Sequence, residues 1–496
     1  MTDTHASLES ATREPVEHRD VVVIGAGISG ITAAYHLQTM SPDRDVTILE
    51  GRADLGGTWD LFRYPGIRSD SDMYTLGFRF KPWTDPKAIA DGPSILAYLN
   101  ETVDEFDIRR RIRFDHQVAG ASWSSEDQRW TLTVEHAGET FTMTAGFVFM
   151  CTGYYSYKGG YKPDFEGSDD FAGRIIHPQE WPEELDYADK RVVVIGSGAT
   201  AVTLVPAMAD DAEHVTMLQR TPTWVVSAPS QDPIANGLRK VLPGGLAYKL
   251  TREKNRRFTE MIYNRTRTKP EKVREKLLSE LAKHLPQDQI DAHFTPTYNP
   301  WDQRLCLVPD ADLFEAIKAE KASVVTDTIE RFTETGIQLD SGEHLDADVI
   351  VTATGLNLVT IGDMDFDIDG EKLDFSETWT YKGVAYSGIP NLISVFGYIN
   401  ASWTLRADLL VEYGCRLLNH MRDTGTATAT PRLRPSDATM ARRPFIDDFP
   451  AGYMQRMMPM LPKQGDREPW VNTQSVSKDK KLIGEAPVDD GVMIFA

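Results

Sequence analysis

The sequence predicts an α/β fold of two similar parallel-sheet halves, with a helical insertion in the second. Three observations carry this. Two glycine-rich turns, Gly25-Ala-Gly-Ile-Ser-Gly30 and Gly196-Ser-Gly-Ala-Thr-Ala201, each follow a short β-branched run and precede a helical stretch. Two later apolar runs both end in Thr-Gly, at Thr152-Gly153 and Thr354-Gly355. From about Asn236 to Leu285 the chain becomes charged and helix-rich, as in Val273-Arg-Glu-Lys-Leu-Leu-Ser-Glu-Leu281.

A chain of 496 residues exceeds one ordinary core and suits two or three domains. Hydrophobic content of 41% and charged content of 26% are those of a globular protein. Lys and Arg number 53 against 74 Asp and Glu, a formal net charge of −21. Such a surface repels nucleic acid and anionic membranes, so a cofactor phosphate needs a local basic pocket. The three cysteines, Cys151, Cys306 and Cys415, show no CxxC spacing, which fits a reducing, cytoplasmic setting without a disulfide framework. Residues 1–18 are polar, lack an apolar h-region, and read as a disordered tail rather than a signal peptide. No apolar run is long enough to span a bilayer, and no metal site is expected.

In the first half, Asp20-Val-Val-Val-Ile24 reads as a buried parallel strand. Gly25 makes the tight turn, Gly27 lets the backbone approach a pyrophosphate, and Gly30 lets helix and strand pack closely. Ser29 lies where the helix begins, and the free N–H groups there suit phosphate. The strand Val46–Leu49 ends at Glu50, 20 residues past Gly30, where a carboxylate accepts hydrogen bonds from ribose hydroxyls. The segment from Gly56 to Asp70 is Gly- and Pro-punctuated and aromatic, which reads as a binding loop. Thr58, Trp59 and Asp60 within it, and Tyr74 beyond it, are candidates for lining that binding surface. A redox cysteine pair is absent from this loop, which argues against thiol–disulfide chemistry.

The second half repeats the pattern. The strand Arg191-Val-Val-Val-Ile195 runs into Gly196, Ser197, Gly198, Ala199, Thr200 and Ala201, a G-x-G-x-x-A turn, and then a helix to Met208. The next strand, His214-Val-Thr-Met-Leu218, is followed by Gln219, Arg220 and Thr221. An NAD site places an acid here. A guanidinium instead grips a 2′-phosphate with paired N–H donors, so Arg220 favours NADPH over NADH. The bland alternative is a solvated surface arginine. Further on, Tyr298-Asn-Pro-Trp-Asp-Gln-Arg304-Leu-Cys-Leu-Val-Pro309 carries Arg304, which by composition alone reads as a structural ion-pair partner.

Two fingerprints and two Thr-Gly endings amount to a diverged internal repeat, hence two Rossmann-like dinucleotide-binding domains, one for FAD and one for NADPH. The expected boundaries are a tail at 1–18, the first FAD part at 19–160, and the NADPH domain at 161–355 with its insertion at about 232–297. A second FAD part with the C-terminal region takes 356–496.

Between the fingerprints lies Phe171-Ala-Gly-Arg-Ile-Ile-His-Pro-Gln-Glu-Trp-Pro182, a F-x-G-x-x-x-H-x-x-x-W-P pattern. With it, the chain resembles the type I Baeyer–Villiger monooxygenases, a class B flavoprotein family, over nearly its whole length. The loop at 57–74 and the run Asn299-Pro-Trp-Asp-Gln-Arg-Leu-Cys-Leu-Val-Pro309 resemble the family's ethionamide-activating branch. The resemblance implies that Arg304 is the active-site arginine beside the flavin and that Asp70 orients it. It implies NADP contacts from Arg68, Ser69, Arg220 and Thr221, and a backbone contact from Val118 to the adenine of FAD. Some members carry a lysine where this chain has Gln303, so 2′-phosphate recognition rests mainly on Arg220.

The implied activity inserts one oxygen of O2 next to a ketone carbonyl through a C4a-peroxyflavin, giving an ester or lactone, with sulfoxidation as a side activity. The substrate is then a small-molecule ketone or sulfide. Two alternatives stay open: an N/S-oxygenating flavin monooxygenase, whose motif ends without Trp-Pro, and an NADPH oxidase or reductase flavoprotein. His177 reads as a linker residue rather than an acid–base catalyst, and Trp403 as either pocket lining or core.

Overall fold

In the computed structural model, which describes residues 16–303, 305–359, 361–447 and 451–496, each fingerprint seeds the centre of a parallel sheet. In the first, strand Glu17–Ile24 lies between Val46–Leu49 and Glu139–Met150; Ile112–Arg113 extends one side and Leu392–Ser394 the other. In the second, Arg191–Ile195 lies between His214–Gln219 and Val349–Thr352, with Ala322–Thr326 and Arg174–Ile176 at the edges. The two orders match strand for strand. Val21, Val22 and Val23 are fully buried, as befits a parallel strand covered on both faces. The first sheet also bonds to an antiparallel wing, Gln117–Ser124 and Arg129–His136, whereas in the second half the antiparallel strands Ile329–Thr333, Gly336–Leu339 and His344–Asp346 form a separate sheet.

The expected tail at 1–18 needs one correction. Residues 1–15 lie outside the described residues, but Glu17 and His18 open the first strand, paired in register with Met143 and Thr144. Their place is fixed by charge: the Glu17 carboxylate accepts from Arg113 Nη1 at 2.8 Å and also pairs with Arg19. These partners hold its pKa down at about 2.

The chain leaves the first sheet through strand Tyr155–Gly160 and returns through Leu356–Leu358. The two pair antiparallel, so both passages form one ribbon. Helices Pro233–Val241, Gly244–Thr268, Pro270–Leu281 and Gln287–His293 fill the region between the second fingerprint and the Arg304 segment. Asp232 caps the first, accepting from the N–H groups of Ile234 and Ala235.

The long helix Gly244–Thr268 is fastened to the first half by a buried arginine. Arg252 Nη1 donates to the carbonyls of Tyr74, Thr75 and Gly77 at 2.9, 2.9 and 2.7 Å, satisfying C-terminal carbonyls of the short helix Met73–Leu76. Its Nη2 faces Asp408 at 3.4 Å, and Asp408 also bonds His36 of the first fingerprint helix at 3.0 Å. These partners hold Asp408 in the charged form against the cost of burial.

Candidate active site and cofactor cradles

The first cradle is shaped by backbone that tolerates no side chain. Gly25 has φ +101°, and a Cβ on it would come 2.6 Å from the Cys151 carbonyl. A Cβ on Gly30 would come 1.8 Å from the Gly25 carbonyl. Helix Ile28–Met40 therefore rises directly from the turn. Gly27 is its N-cap and supplies no side-chain cap, so the first N–H groups are left for a ligand. Gly57 faces Gly27, leaving a side-chain-free approach. This geometry fits the pyrophosphate of a dinucleotide.

Glu50 is buried, and its two oxygens accept from the N–H groups of Ala26 at 2.7 Å and Arg52 at 3.0 Å. Burial pushes its pKa up, while these two donors oppose the rise. It thus braces the turn, and a carboxylate still has lone pairs left for ribose hydroxyls. The backbone of His116 donates to the Glu50 carbonyl at 2.8 Å, which sets the buried Val118 alongside. Ser29 accepts a 2.7 Å bond from the Trp403 indole, which stacks on Tyr154. Thr58 and Trp59 open the short helix Thr58–Leu61. Asp60 within it is buried between Arg52 and Arg63, at 2.6 and 2.7 Å, and stiffens the loop.

The second cradle repeats the first. Gly196 has φ +139°, with a Cβ position 2.4 Å from the Ala353 carbonyl. Gly198 caps helix Ala199–Met208, again without a side-chain cap, and nothing lies within 4 Å of its Cβ position. Ala199 and Thr200 form the first turn, and Ala201 is fully buried where the first fingerprint has Gly30. Ser197 bonds Thr223 Oγ1 at 2.7 Å and donates to the Thr221 carbonyl at 3.3 Å, tying the turn to the segment after strand His214–Gln219. Arg220, at the end of that strand, is exposed and has no carboxylate partner among the described residues.

In the loop between the halves, three of the expected contact residues are engaged or enclosed by the protein itself. Arg68 pairs with Asp312, at the start of helix Asp312–Lys318, and its Nη2 reaches the Val202 carbonyl at 3.5 Å. A carboxylate thus holds the guanidinium expected to meet NADP. The Ser69 hydroxyl donates to the Ser71 carbonyl and accepts from the Ser71 N–H, closing a turn. The Tyr74 side chain is buried and its hydroxyl has no hydrogen-bond partner among the described residues. Asp70 is exposed beside them. Arg304 lies outside the described residues. Asp312 and the clasping Arg252 were not singled out from sequence; each looks like one charge among many, and no motif marks them.

The linker motif acquires a structural meaning. Its Arg174–Ile176 is itself an edge strand of the second sheet. A Cβ on Gly173 would come 2.4 Å from the Asp348 carbonyl, so only glycine permits that approach, and Phe171 is buried in the core behind. His177 is buried at the ribbon: Nε2 donates to the Gly355 carbonyl at 3.0 Å, and Nδ1 accepts from the Gln179 N–H at 3.2 Å. Its ring fills the space beside Gly160, where a Cβ would come 1.8 Å from it. One imidazole therefore contacts both passages between the halves.

Burial lowers the His177 pKa below the usual 6.5. The neutral ring is the one the fold prefers, so its stabilisation is full above pH 6.5 and is lost as pH falls through the lower folded value. Thermal stability should therefore drop in that acid window. His177→Gln should flatten the drop, and an unchanged pH profile in the variant would remove His177 from this role.

Two dinucleotide cradles joined by a paired ribbon, with all three cysteines buried and in no disulfide, define an oxidoreductase that works with two dinucleotides. Among the described residues, no His, Cys, Asp and Glu cluster is arranged to hold a metal, and no helix is long and apolar enough to cross a membrane. Residues 23–85 match an NAD(P)-binding Rossmann-like domain, and residues 86–361 match the flavin-binding monooxygenase-like family. The FAD-containing monooxygenase EthA of Mycolicibacterium smegmatis is 53% identical over 481 residues, covering 97% of each chain. The probable FAD-binding monooxygenase AlmA of Acinetobacter baylyi is 49% identical, covering 97% of this chain and 96% of its own. The chain belongs to the flavin-binding monooxygenase-like family. In fold it is similar to oxidized steroid monooxygenase bound to NADP, with TM-score 0.77 at 23% identity over 96% of this chain and 99% of that one.

Proposed function

We propose that the protein is an FAD-dependent, NADPH-consuming Baeyer–Villiger monooxygenase that inserts one oxygen of O2 beside a ketone carbonyl, giving an ester or lactone. Sulfide oxygenation is a side activity. The observation that carries this reading is the complete linker motif from Phe171 to Pro182, with His177 set on the ribbon between the two cradles. The FAD named for EthA and AlmA supports placing flavin on the first cradle.

In this reading FAD takes the first half, 19–160 with 356–496, and NADPH takes 161–355, including the insertion at about 232–297. Gly25, Gly27, Ser29, Gly30, Glu50, Thr58, Trp59, Asp60, Tyr74 and Val118 surround FAD. Gly196, Ser197, Gly198, Ala199, Thr200, Ala201, Arg220 and Thr221 hold NADPH, with Arg68 and Ser69 at the boundary. When bound, the reduced flavin supplies the oxygen-activating chemistry. Arg304 is permanently charged and donor-only, so it stabilises negative charge developing on peroxide and carbonyl oxygens without giving up a proton. Asp70 orients Arg304. The three buried cysteines fit a reducing, cytoplasmic setting.

The test is to incubate the yellow protein with NADPH and a panel of ketones and sulfides and identify products by mass. Esters or lactones are expected. Oxygenated sulfides alone would move the assignment to an N/S-oxygenating enzyme, and hydrogen peroxide alone to an oxidase. For cofactor choice, Arg220→Ala should lower the NADPH/NADH ratio of kcat/KM by roughly 10–100-fold, as expected for losing a charged hydrogen bond. An unchanged ratio excludes Arg220 from 2′-phosphate binding.

A further inference from the structure

The helical insertion carries charge of the opposite sign to the rest of the chain. Over residues 233–269, ten Lys and Arg stand against two Glu, in a chain of net charge −21. Lys240, Lys249, Arg265 and Lys269 are exposed and have no carboxylate partner among the described residues. Both carboxylates, Glu253 and Glu260, are held by Arg256, and Glu253 also by Arg257. The remaining cations are engaged: Arg252 at Asp408, Lys254 at Asp232, Arg267 at Asp302, and Arg239 at the Thr84 and Asp85 carbonyls.

The same two helices and their junction expose apolar side chains. Of the twelve large apolar residues exposed among the described residues, six are here: Ile234, Val241, Leu246, Leu250, Phe258 and Met261. Val241 is 77% exposed and Phe258 59%. Leu246, Leu250, Arg257 and Met261 recur at helical spacing along one stripe. Arg257, Met261, Asn264 and Arg265 also line a shallow hollow with Glu260 and Thr268.

We propose that this face docks the protein on an anionic lipid bilayer, with the cations at the headgroups and the apolar side chains at the acyl boundary. A nucleic acid would satisfy the charges and leave the aliphatic side chains in water. A second copy offers acidic surface, but its other six exposed apolar residues lie in other segments and form no comparable run in one element. An anionic bilayer satisfies both features at once. The docking helix also reaches the site: Tyr263 meets Trp301 edge-on at 5.8 Å, and Arg267 bonds Asp302 at 2.8 Å, in the segment leading to Arg304.

The test is co-sedimentation of the full-length holoprotein with vesicles of phosphatidylcholine, alone or mixed with phosphatidylglycerol. Binding to the mixed vesicles only, weakened by salt, is expected. Lys240→Gln with Lys249→Gln should lower partitioning about 10-fold or more, at about one cationic contact's strength each. Val241→Ser with Phe258→Ser should lower it independently, and both variants should retain NADPH oxidation. Absence of sedimentation, or equal binding by wild type and both variants, overturns the proposal. So does a dimer in light scattering that Val241→Ser with Phe258→Ser converts to monomer, because the face is then an interface between copies.

Discussion

Arg304→Ala should retain FAD and still oxidise NADPH, yet lose ketone oxygenation by about 10²–10³-fold in turnover, the usual cost of removing one preorganised donor to a developing oxyanion. The loss should fall on ester formation, with NADPH consumption redirected to hydrogen peroxide. Arg304→Lys separates charge from shape: a lysine keeps the cation and loses the planar fork, so it should recover only part of the activity. Asp70→Asn, which leaves Arg304 present and removes its orienting charge, should lie between wild type and Arg304→Ala. Ordinary ester yields from Arg304→Ala would sink the assignment. The approach to Arg304 is held firmly on its described side: Asp302 accepts from the Asn299 N–H at 3.1 Å and from Arg267 at 2.8 Å.

Gly30→Ala should abolish FAD retention. Alanine is the better helix former by about 1 kcal/mol, so propensity alone would favour the change. Sterics decide against it. The new methyl would sit 1.8 Å from the Gly25 carbonyl oxygen and 2.9 Å from its carbon, both backbone, with no flexible side chain to give way. The helix must back away from the turn that it caps, and overpacking at such a site costs about 3 kcal/mol. That corresponds to roughly 100-fold weaker FAD binding. Gly198→Ala is the control: nothing lies within 4 Å of its Cβ position, and its φ of −80° is open to any residue. Gly198→Ala protein should therefore purify yellow and Gly30→Ala protein colourless. Equal flavin content in the two would refute the packing argument.

The parts of this fold that were legible are those where one physical constraint dominates. Buried parallel strands demand continuous β-branched runs, so Val46–Leu49 and Arg191–Ile195 have the bounds the sequence suggests. Gly30 reads as a turn residue, although here it lies in the first turn of helix Ile28–Met40 and serves close packing. The antiparallel wing carries the alternation of a half-buried strand: Trp130, Leu132 and Val134 are buried in turn along Arg129–His136. The glycines of both cradles could be read because a tight turn leaves little choice of residue. Arg68 could not be placed, since its partner Asp312 is 244 residues away and only tertiary structure brings the two together. Arg252 was hidden for another reason: in a helix crowded with cations, nothing in the sequence marks the one that turns inward.

The Arg252 clasp has a mechanical consequence. The second half is joined covalently through the paired strands Tyr155–Gly160 and Leu356–Leu358, and non-covalently where Arg252 holds the carbonyls of Tyr74, Thr75 and Gly77. Further ties lie between these two, where Arg68 pairs with Asp312 and Arg239 bonds the Thr84 and Asp85 carbonyls, so the halves cannot slide past each other without breaking several contacts at once. The Arg304 segment follows the clasping helix in the chain and is tied to it through Asp302 and Arg267. Any displacement of the second half that kept the Arg252 clasp would therefore carry the clasping helix and the Arg304 segment together.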